Sequence, residues 1–132
     1  MKNPVREIDL VNGLIVRFYD HTRRYYGDFY LVKLEIRCLV PLRREYFDSA
    51  EAFVEGVELL GETILFRRII EKMGVPVAEV GRAVAGLMAN FEENSLAYLS
   101  APSFSHKFVA SQLNKAKRTA GFISGSGIPV HV

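Results

Sequence analysis

Apolar residues occupy every second position in the first stretch of the chain. The even-numbered positions from 8 to 18 are apolar outside the turn pair Asn12–Gly13. A period of two predicts β-strands with one buried face. Asn-Gly is a strong hairpin signal, and a three-residue loop over residues 11–13 keeps the apolar set on one face. We therefore predict a hairpin in which Ile8 faces Val16.

The same alternation returns over residues 30–40. All six even-numbered positions there are apolar, whereas the odd-numbered ones include Lys33, Glu35 and Arg37. This pattern predicts a half-buried antiparallel strand, which Pro41 ends because proline cannot donate to a β-ladder. Together with the hairpin it predicts a three-stranded antiparallel meander.

The apolar spacing becomes helical after residue 48. The apolar positions that recur at this spacing are Phe53, Val57, Leu60 and Ile64. They predict one helix that begins at Asp48 or Ser49 and reaches Lys72, with Gly74 as the residue just beyond its end. A second helix is expected to begin at Pro76, and a shorter third one to cover about 105–118.

Strands followed by helices predict an α+β fold, with about three α-helices packed on one face of the meander. A length of 132 residues fits a single domain, which we assign to residues 1–120. Residues 121–132 include Gly125 and Gly127 and are predicted to form a flexible C-terminal tail.

Composition places the chain among ordinary globular proteins. Apolar residues make up 49% and charged residues 24%, which excludes a disordered chain or a disulfide scaffold. Cys38 is the single cysteine, so an intrachain disulfide is excluded. No apolar run reaches the length of a membrane span, and no secretory signal is recognised. We therefore expect a cytoplasmic protein that does not enter a membrane.

Charge is unevenly distributed although the net charge is only +2. Residues 1–44 carry nine basic and five acidic side chains, and residues 45–93 carry four basic and ten acidic ones. Residues 94–132 carry four basic side chains and no acidic one. The segments either complement each other within or between subunits, or they present one basic surface to an anionic partner.

Polar and aromatic residues are densest between positions 20 and 28. The candidate ligand-binding residues in this stretch are His21, Arg23, Arg24, Tyr25 and Tyr26. Three interpretations remain open: a solvated hairpin tip that turns at Gly27–Asp28, a partner surface, or a site for an anion or a single-stranded nucleic acid. Arginine offers donors to phosphate and tyrosine offers a stacking face, so the last interpretation is chemically sound.

The odd-numbered face of the predicted sheet is too apolar to be freely solvated. The apolar residues on it, our candidate interface set, are Ile15, Phe29, Leu31 and Leu39. We expect either a second subunit or another part of the chain to cover them. A homodimer, formed sheet to sheet, is one arrangement that would do so.

Catalytic, metal and cofactor signatures are weak in this sequence. Cys38 lies at an inward position, the three histidines are far apart, and no phosphate-binding glycine loop is recognised. We expect no cofactor and no metal, and leave catalysis undecided while favouring a protein that is not an enzyme. The leading hypothesis is a non-catalytic interaction or assembly module. The alternative is a protein that binds an anionic ligand or single-stranded nucleic acid through the hairpin tip.

Overall fold

The computed structural model describes residues 3–127, with side chains for residues 3–119. In chain order the strands and α-helices are β1 (Arg6–Asp9), β2 (Ile15–Asp20), β3 (Arg23–Tyr26), β4 (Phe29–Pro41), α1 (Ala50–Leu60), β5 (Thr63–Pro76), α2 (Val80–Ser100) and α3 (Phe104–Gly127). Short 3-10 turns at Arg44–Tyr46 and Val77–Glu79 precede α1 and α2. An antiparallel sheet combined with helices confirms the predicted α+β class, but the described residues form five strands rather than the predicted three-stranded meander.

The first hairpin has the predicted register. Ile8 faces Val16, and the amide of Leu10 donates to the carbonyl of Leu14 at 2.8 Å. Gly13 has φ 89°, a left-handed conformation that glycine adopts without steric cost. The Asn12 side chain also donates to the Leu99 carbonyl at 2.8 Å, so the turn is tied to the last turn of α2.

β2 and β3 form one interrupted strand along a single edge of β4. Asp20 faces Leu34 and Arg23 faces Leu31, so the register is the same on both sides of the interruption. The ribbon turns at residues 27–28, as one of the three interpretations of this stretch predicts. β1 pairs with β2, and β5 lies along the other edge of β4.

The even-numbered face of the sheet is buried, and α2 contacts it. The fully buried residues of β2 and β4 on this face are Val16, Phe18, Val32, Leu34, Ile36, Cys38 and Val40. Phe18 meets Phe91 of α2 edge to face, with their ring centroids 5.7 Å apart. Burying an apolar side chain of this size contributes about 1.5–3 kcal/mol, so this face is the main source of stability for the sheet.

The predicted helix from residue 48 to Lys72 is wrong in its second half. α1 ends at Leu60, because Gly61 adopts φ 89° at its C-cap, and the chain then forms β5. Ile64 and Leu60 continued the helical spacing, which concealed the strand. Apolar residues and arginines fall on both faces of β5, so no simple alternation marked it. β5 is stabilised by its pairing with β4.

Three predicted helix boundaries also change. Pro76 is the last residue of β5 rather than the first of a helix, and Gly74 lies inside that strand. α2 begins at Val80 and ends at Ser100. α3 begins at Phe104 and continues beyond residue 118 to Gly127. The tail predicted for residues 121–132 therefore begins within α3, and its residues 128–132 lie outside the described part of the chain.

The chain divides into two compact units. The first contains the residues up to Leu39 together with Leu65–Pro102, and the second contains Val40–Ile64 and the residues from Ser103 onward. β4 and β5 each contribute residues to both units. The assignment of residues 1–120 to one domain stays a prediction.

In the second unit, α1 packs against α3. The Ser49 hydroxyl accepts a hydrogen bond from the Ala52 amide at 3.0 Å and caps α1, at one of the two predicted starts. Gly56 is buried in α1, where the Phe47 ring lies across it. An added Cβ at Gly56 would lie 2.7 Å from the nearest ring carbon.

We expect Gly56→Ala to lower the free energy of unfolding by about 1–2 kcal/mol, because overpacking outweighs the gain in helix propensity. Gly86→Ala in α2 is the control, since a Cβ at that position meets nothing within 4 Å. Gly86→Ala should raise the free energy of unfolding by about 0.5–1 kcal/mol. Urea unfolding measures both, and stabilisation by Gly56→Ala would contradict the close packing.

Candidate functional site on the outer face of the sheet

The face of the sheet opposite α2 carries a mixture of charged, aromatic and apolar side chains; we call it the outer face. Odd-numbered residues of β2 and β4 lie there, so that Arg17 is directly across from Arg37 and Tyr19 from Glu35. β5 adds Arg67, which contacts Glu35. These side chains belong to neighbouring strands, so their positions are set by the β-ladder rather than by loops.

Glu35 is a buried carboxylate at the centre of this face, with only 3% of its side chain exposed. His21 Nε2 lies 2.8 Å from its Oε1 atom. The Nε atoms of Arg37 and Arg67 donate to Oε2 at 2.9 Å and 2.5 Å. A buried charge is tolerated only when it is paired and hydrogen-bonded, and Glu35 meets both conditions.

The environment of Glu35 keeps it ionised. Burial alone would raise the pKa of this carboxyl, but the hydrogen bonds from His21, Arg37 and Arg67 outweigh it and lower the pKa to about 2. The carboxylate is therefore a permanent negative charge at neutral pH. It holds two guanidinium groups at one oxygen atom.

A shallow groove lies beside this cluster. It has a volume of about 160 Å³ and is lined by Arg17, Tyr19, Arg37, Leu39 and Leu65. The Arg37 guanidinium lies over the Tyr19 ring, 5.1 Å from its centroid, which restricts its orientation. The Arg17 guanidinium is paired with Glu7 at 2.7 Å. The groove thus combines an apolar floor with oriented cationic groups.

The four predicted interface residues differ in exposure. Leu39 and Phe29 are exposed, Ile15 is half-buried, and Leu31 is buried. Leu31 is therefore covered by other residues of the same chain. A second subunit or another part of the chain was expected to cover this face, and Leu31 is an example of the latter. Leu39 lines the groove together with Leu65, a residue that sequence reasoning did not select.

The predicted ligand-binding residues fall into two groups. Arg23, Arg24, Tyr25 and Tyr26 form β3 at the end of the ribbon, and all four are exposed. His21 is half-buried and contacts Glu35, so it belongs to the outer-face cluster. The Asp28 carbonyl accepts a hydrogen bond from the Val77 amide at 3.0 Å, which ties the ribbon end to the residue after β5.

Glu35 and Arg67 are the functional candidates that the sequence concealed. In the sequence, Glu35 is only one of the polar positions of an alternating strand, and Arg67 lies in a segment that was predicted to be a helix. Each is recognisable only once β5 lies along β4, because this pairing brings Arg67 to Glu35. The single signal in the sequence was a carboxylate flanked by apolar positions in a strand.

A larger depression, about 340 Å³ in volume, lies between the end of β5 and α2. Its lining includes Lys72, Glu79 and Arg82. Glu35 and Ser105 are the buried polar residues in the described part of the chain, and neither lines it. We therefore place the candidate site on the outer face, where a buried charge organises its neighbours.

Cys38 is buried, as its position in the alternation predicts. Desolvation raises the pKa of its thiol to about 11, so the thiol is protonated and unreactive at neutral pH. Within residues 3–119, no group of three or more His, Cys, Asp or Glu side chains is arranged to hold a metal ion. No helix among the described residues is long and apolar enough to cross a membrane.

Comparison with protein families, with curated proteins and with solved structures finds no match for this chain. The geometry of the site is therefore the basis on which its function is inferred.

We expect Glu35→Gln to weaken the dependence of stability on pH. The pKa of Glu35 is depressed in the folded state, so its contribution is complete above the ordinary carboxyl pKa and is lost as pH falls from about 4.5 towards 2. Between pH 6 and pH 3 the free energy of unfolding should fall by about 1–2 kcal/mol more in the native protein than in the variant. This range takes into account that solvent screens the exposed arginines.

Urea unfolding at the two pH values measures this difference. Glu71→Gln is the control, because Glu71 is an exposed carboxylate on the same face, 3.9 Å from Lys33. An equal pH dependence in the native protein and in Glu35→Gln would show that the cluster does not stabilise the fold.

Proposed function

We propose that this protein is a non-catalytic assembly module that forms a homodimer through the outer face of its sheet. The observation that supports this most directly is the exposure of Leu39 and Leu65, 51% and 41%, in one groove with Tyr19 and two arginines. Exposed apolar side chains bordered by arginine and tyrosine are typical of protein interfaces.

The charges of the outer face favour a second copy as the partner. Cations alternate with anions across it, in the pairs Arg17–Glu7, Arg37–Glu35 and Lys33–Glu71. In a twofold interface the same patch meets itself, so a patch of one sign would repel its copy. A patch that carries both signs beside apolar residues can pair with itself.

The cluster around Glu35 supports assembly rather than catalysis. Its carboxylate is fully engaged by three donors and is held ionised, so it is a poor proton donor or acceptor near neutral pH. Preorganised side chains lose little conformational entropy on binding, which suits them to an interface. We also propose a cytoplasmic location, supported by a lone cysteine that is free and buried.

We expect light scattering to give twice the mass of one chain for the native protein. Leu39→Lys or Phe29→Lys should reduce the measured mass to that of one chain, because either substitution would bury a charge in the interface. Leu31→Lys is unsuitable, since Leu31 is buried and the variant would also be destabilised. Val11→Lys is the control: Val11 is almost fully exposed in the first turn and should leave the mass unchanged. A single-chain mass for the native protein at micromolar concentration would rule out the proposal.

A second candidate function is the binding of single-stranded nucleic acid at the ribbon end. It is favoured by the exposure of two arginines and two tyrosines on β3 beside exposed Phe29. In the described chain no carboxylate forms an ion pair with Arg23 or Arg24, so their charges are available to phosphate.

We expect a fluorescent single-stranded oligonucleotide to bind more weakly to the double variant Arg23→Ala, Arg24→Ala, by about tenfold at low salt, because phosphate contacts are lost. Arg43→Ala, Arg44→Ala is the control, as both residues are exposed and lie outside β3. Fluorescence anisotropy at two salt concentrations measures the affinity. Binding that neither variant weakens, or that is independent of salt, would exclude this site.

A further inference from the structure

We infer that Arg37 and Arg67 form a binding site for an oxyanion, positioned by Glu35, and that the adjacent groove accepts a small apolar group of the same ligand. The ligand class is an aromatic phosphate or carboxylate. This inference goes beyond self-association, because it requires only one copy of the chain. A ligand in the groove would contact Leu39 and Leu65, which the proposed homodimer buries, so the ligand and a second copy would compete for this surface.

The charges around Glu35 are unequal in number. Two guanidinium groups donate to the same oxygen atom of Glu35, so one carboxylate charge serves two cations. No other carboxylate forms an ion pair with either arginine in the part of the chain that the structure describes. One positive charge is therefore left uncompensated beside a buried anion.

Arg37 and Arg67 also have hydrogen-bond donors available to a ligand. Arg37 and Arg67 each use Nε to bind Glu35, and within residues 3–119 the structure shows no hydrogen bond from their Nη groups. The two side chains are 47% and 54% exposed, although the carboxylate that holds them is buried. Arginine donors that are fixed in orientation and open to solvent suit the geometry of phosphate and carboxylate oxygens.

The groove beside the cluster provides apolar surface for the rest of the ligand. Arg37 belongs both to the cluster and to the groove lining, where Tyr19, Leu39 and Leu65 supply apolar surface. The groove is open on one side, and its volume of about 160 Å³ leaves room for a small apolar group against this lining. An oxyanion bound between the arginines can therefore place an attached ring against Leu39 and Leu65.

The test compares phenyl phosphate and benzoate with their separate parts, inorganic phosphate and phenol. Isothermal titration calorimetry measures the dissociation constants, and light scattering on the same samples records the mass. We expect phenyl phosphate or benzoate to bind saturably, and at least about tenfold more tightly than inorganic phosphate or phenol, since only the joined molecule occupies both parts of the site.

Three variants at two neighbouring residues locate the binding. Arg67→Gln should weaken it by about tenfold, the usual effect of losing a hydrogen bond between charged groups. Arg68→Gln is the matched control, because Arg68 is the next residue in β5 and lies over the Phe91 ring on the opposite face. It should change the affinity by less than about twofold. Arg67→Lys keeps a cation beside Glu35 and should weaken binding by about threefold, which preserves the test if Arg67→Gln does not fold.

Each outcome is decisive for this site. Binding of either aromatic anion that depends on Arg67 but not on Arg68 supports the inference and identifies which oxyanion is accepted. Absence of saturable binding by both aromatic anions, or equal loss in Arg67→Gln and Arg68→Gln, overturns it. A native protein of single-chain mass that still binds would leave this inference standing while excluding the homodimer.

Discussion

The burial of one face of β4 is the constraint on which the rest of this structure depends. Its even-numbered side chains from Val32 to Val40 are buried, and both of its edges are paired, one with β2 and β3 and the other with β5. A shift of one residue in β4 would expose the whole apolar set, so the register is strongly determined. The alternating odd-numbered residues, Glu35 among them, are thereby fixed on the outer face.

This geometry explains why a buried carboxylate lies on that outer face. Glu35 is in the middle of a strand that has neighbours on both sides, so water has little access to it. Its charge is offset by donors from three strands or strand ends: His21 after β2, Arg37 in β4 and Arg67 in β5. The arrangement favours ionised Glu35 and orients two arginines toward solvent. The proposed oxyanion site follows from that orientation, whereas the proposed assembly surface depends on the exposed Leu39 and Leu65 beside it.

Much of the N-terminal half could be predicted because its signals are local. The Asn12–Gly13 turn, the left-handed Gly13 and the pairing of Ile8 with Val16 all follow from residues close in sequence. β5 could not be predicted in this way. Its residues from Ile64 to Ile70 show no apolar–polar alternation, and only pairing with β4, more than twenty residues earlier in the chain, favours the strand.

The candidate functional residues divide in the same way, into those with local signals and those that depend on tertiary contacts. The exposed aromatic and basic side chains of β3 and the buried Cys38 were recognisable from type and position alone. The partners of Glu35 were not, because Arg67 reaches it only through the pairing of β4 with β5. The sequence by itself thus determined the α+β class, the first hairpin and the buried face of β4, since alternation and turn chemistry act over a few residues. Only the tertiary structure decided where α1 ends, that β5 exists and which charges meet, because these depend on contacts between residues far apart in the chain.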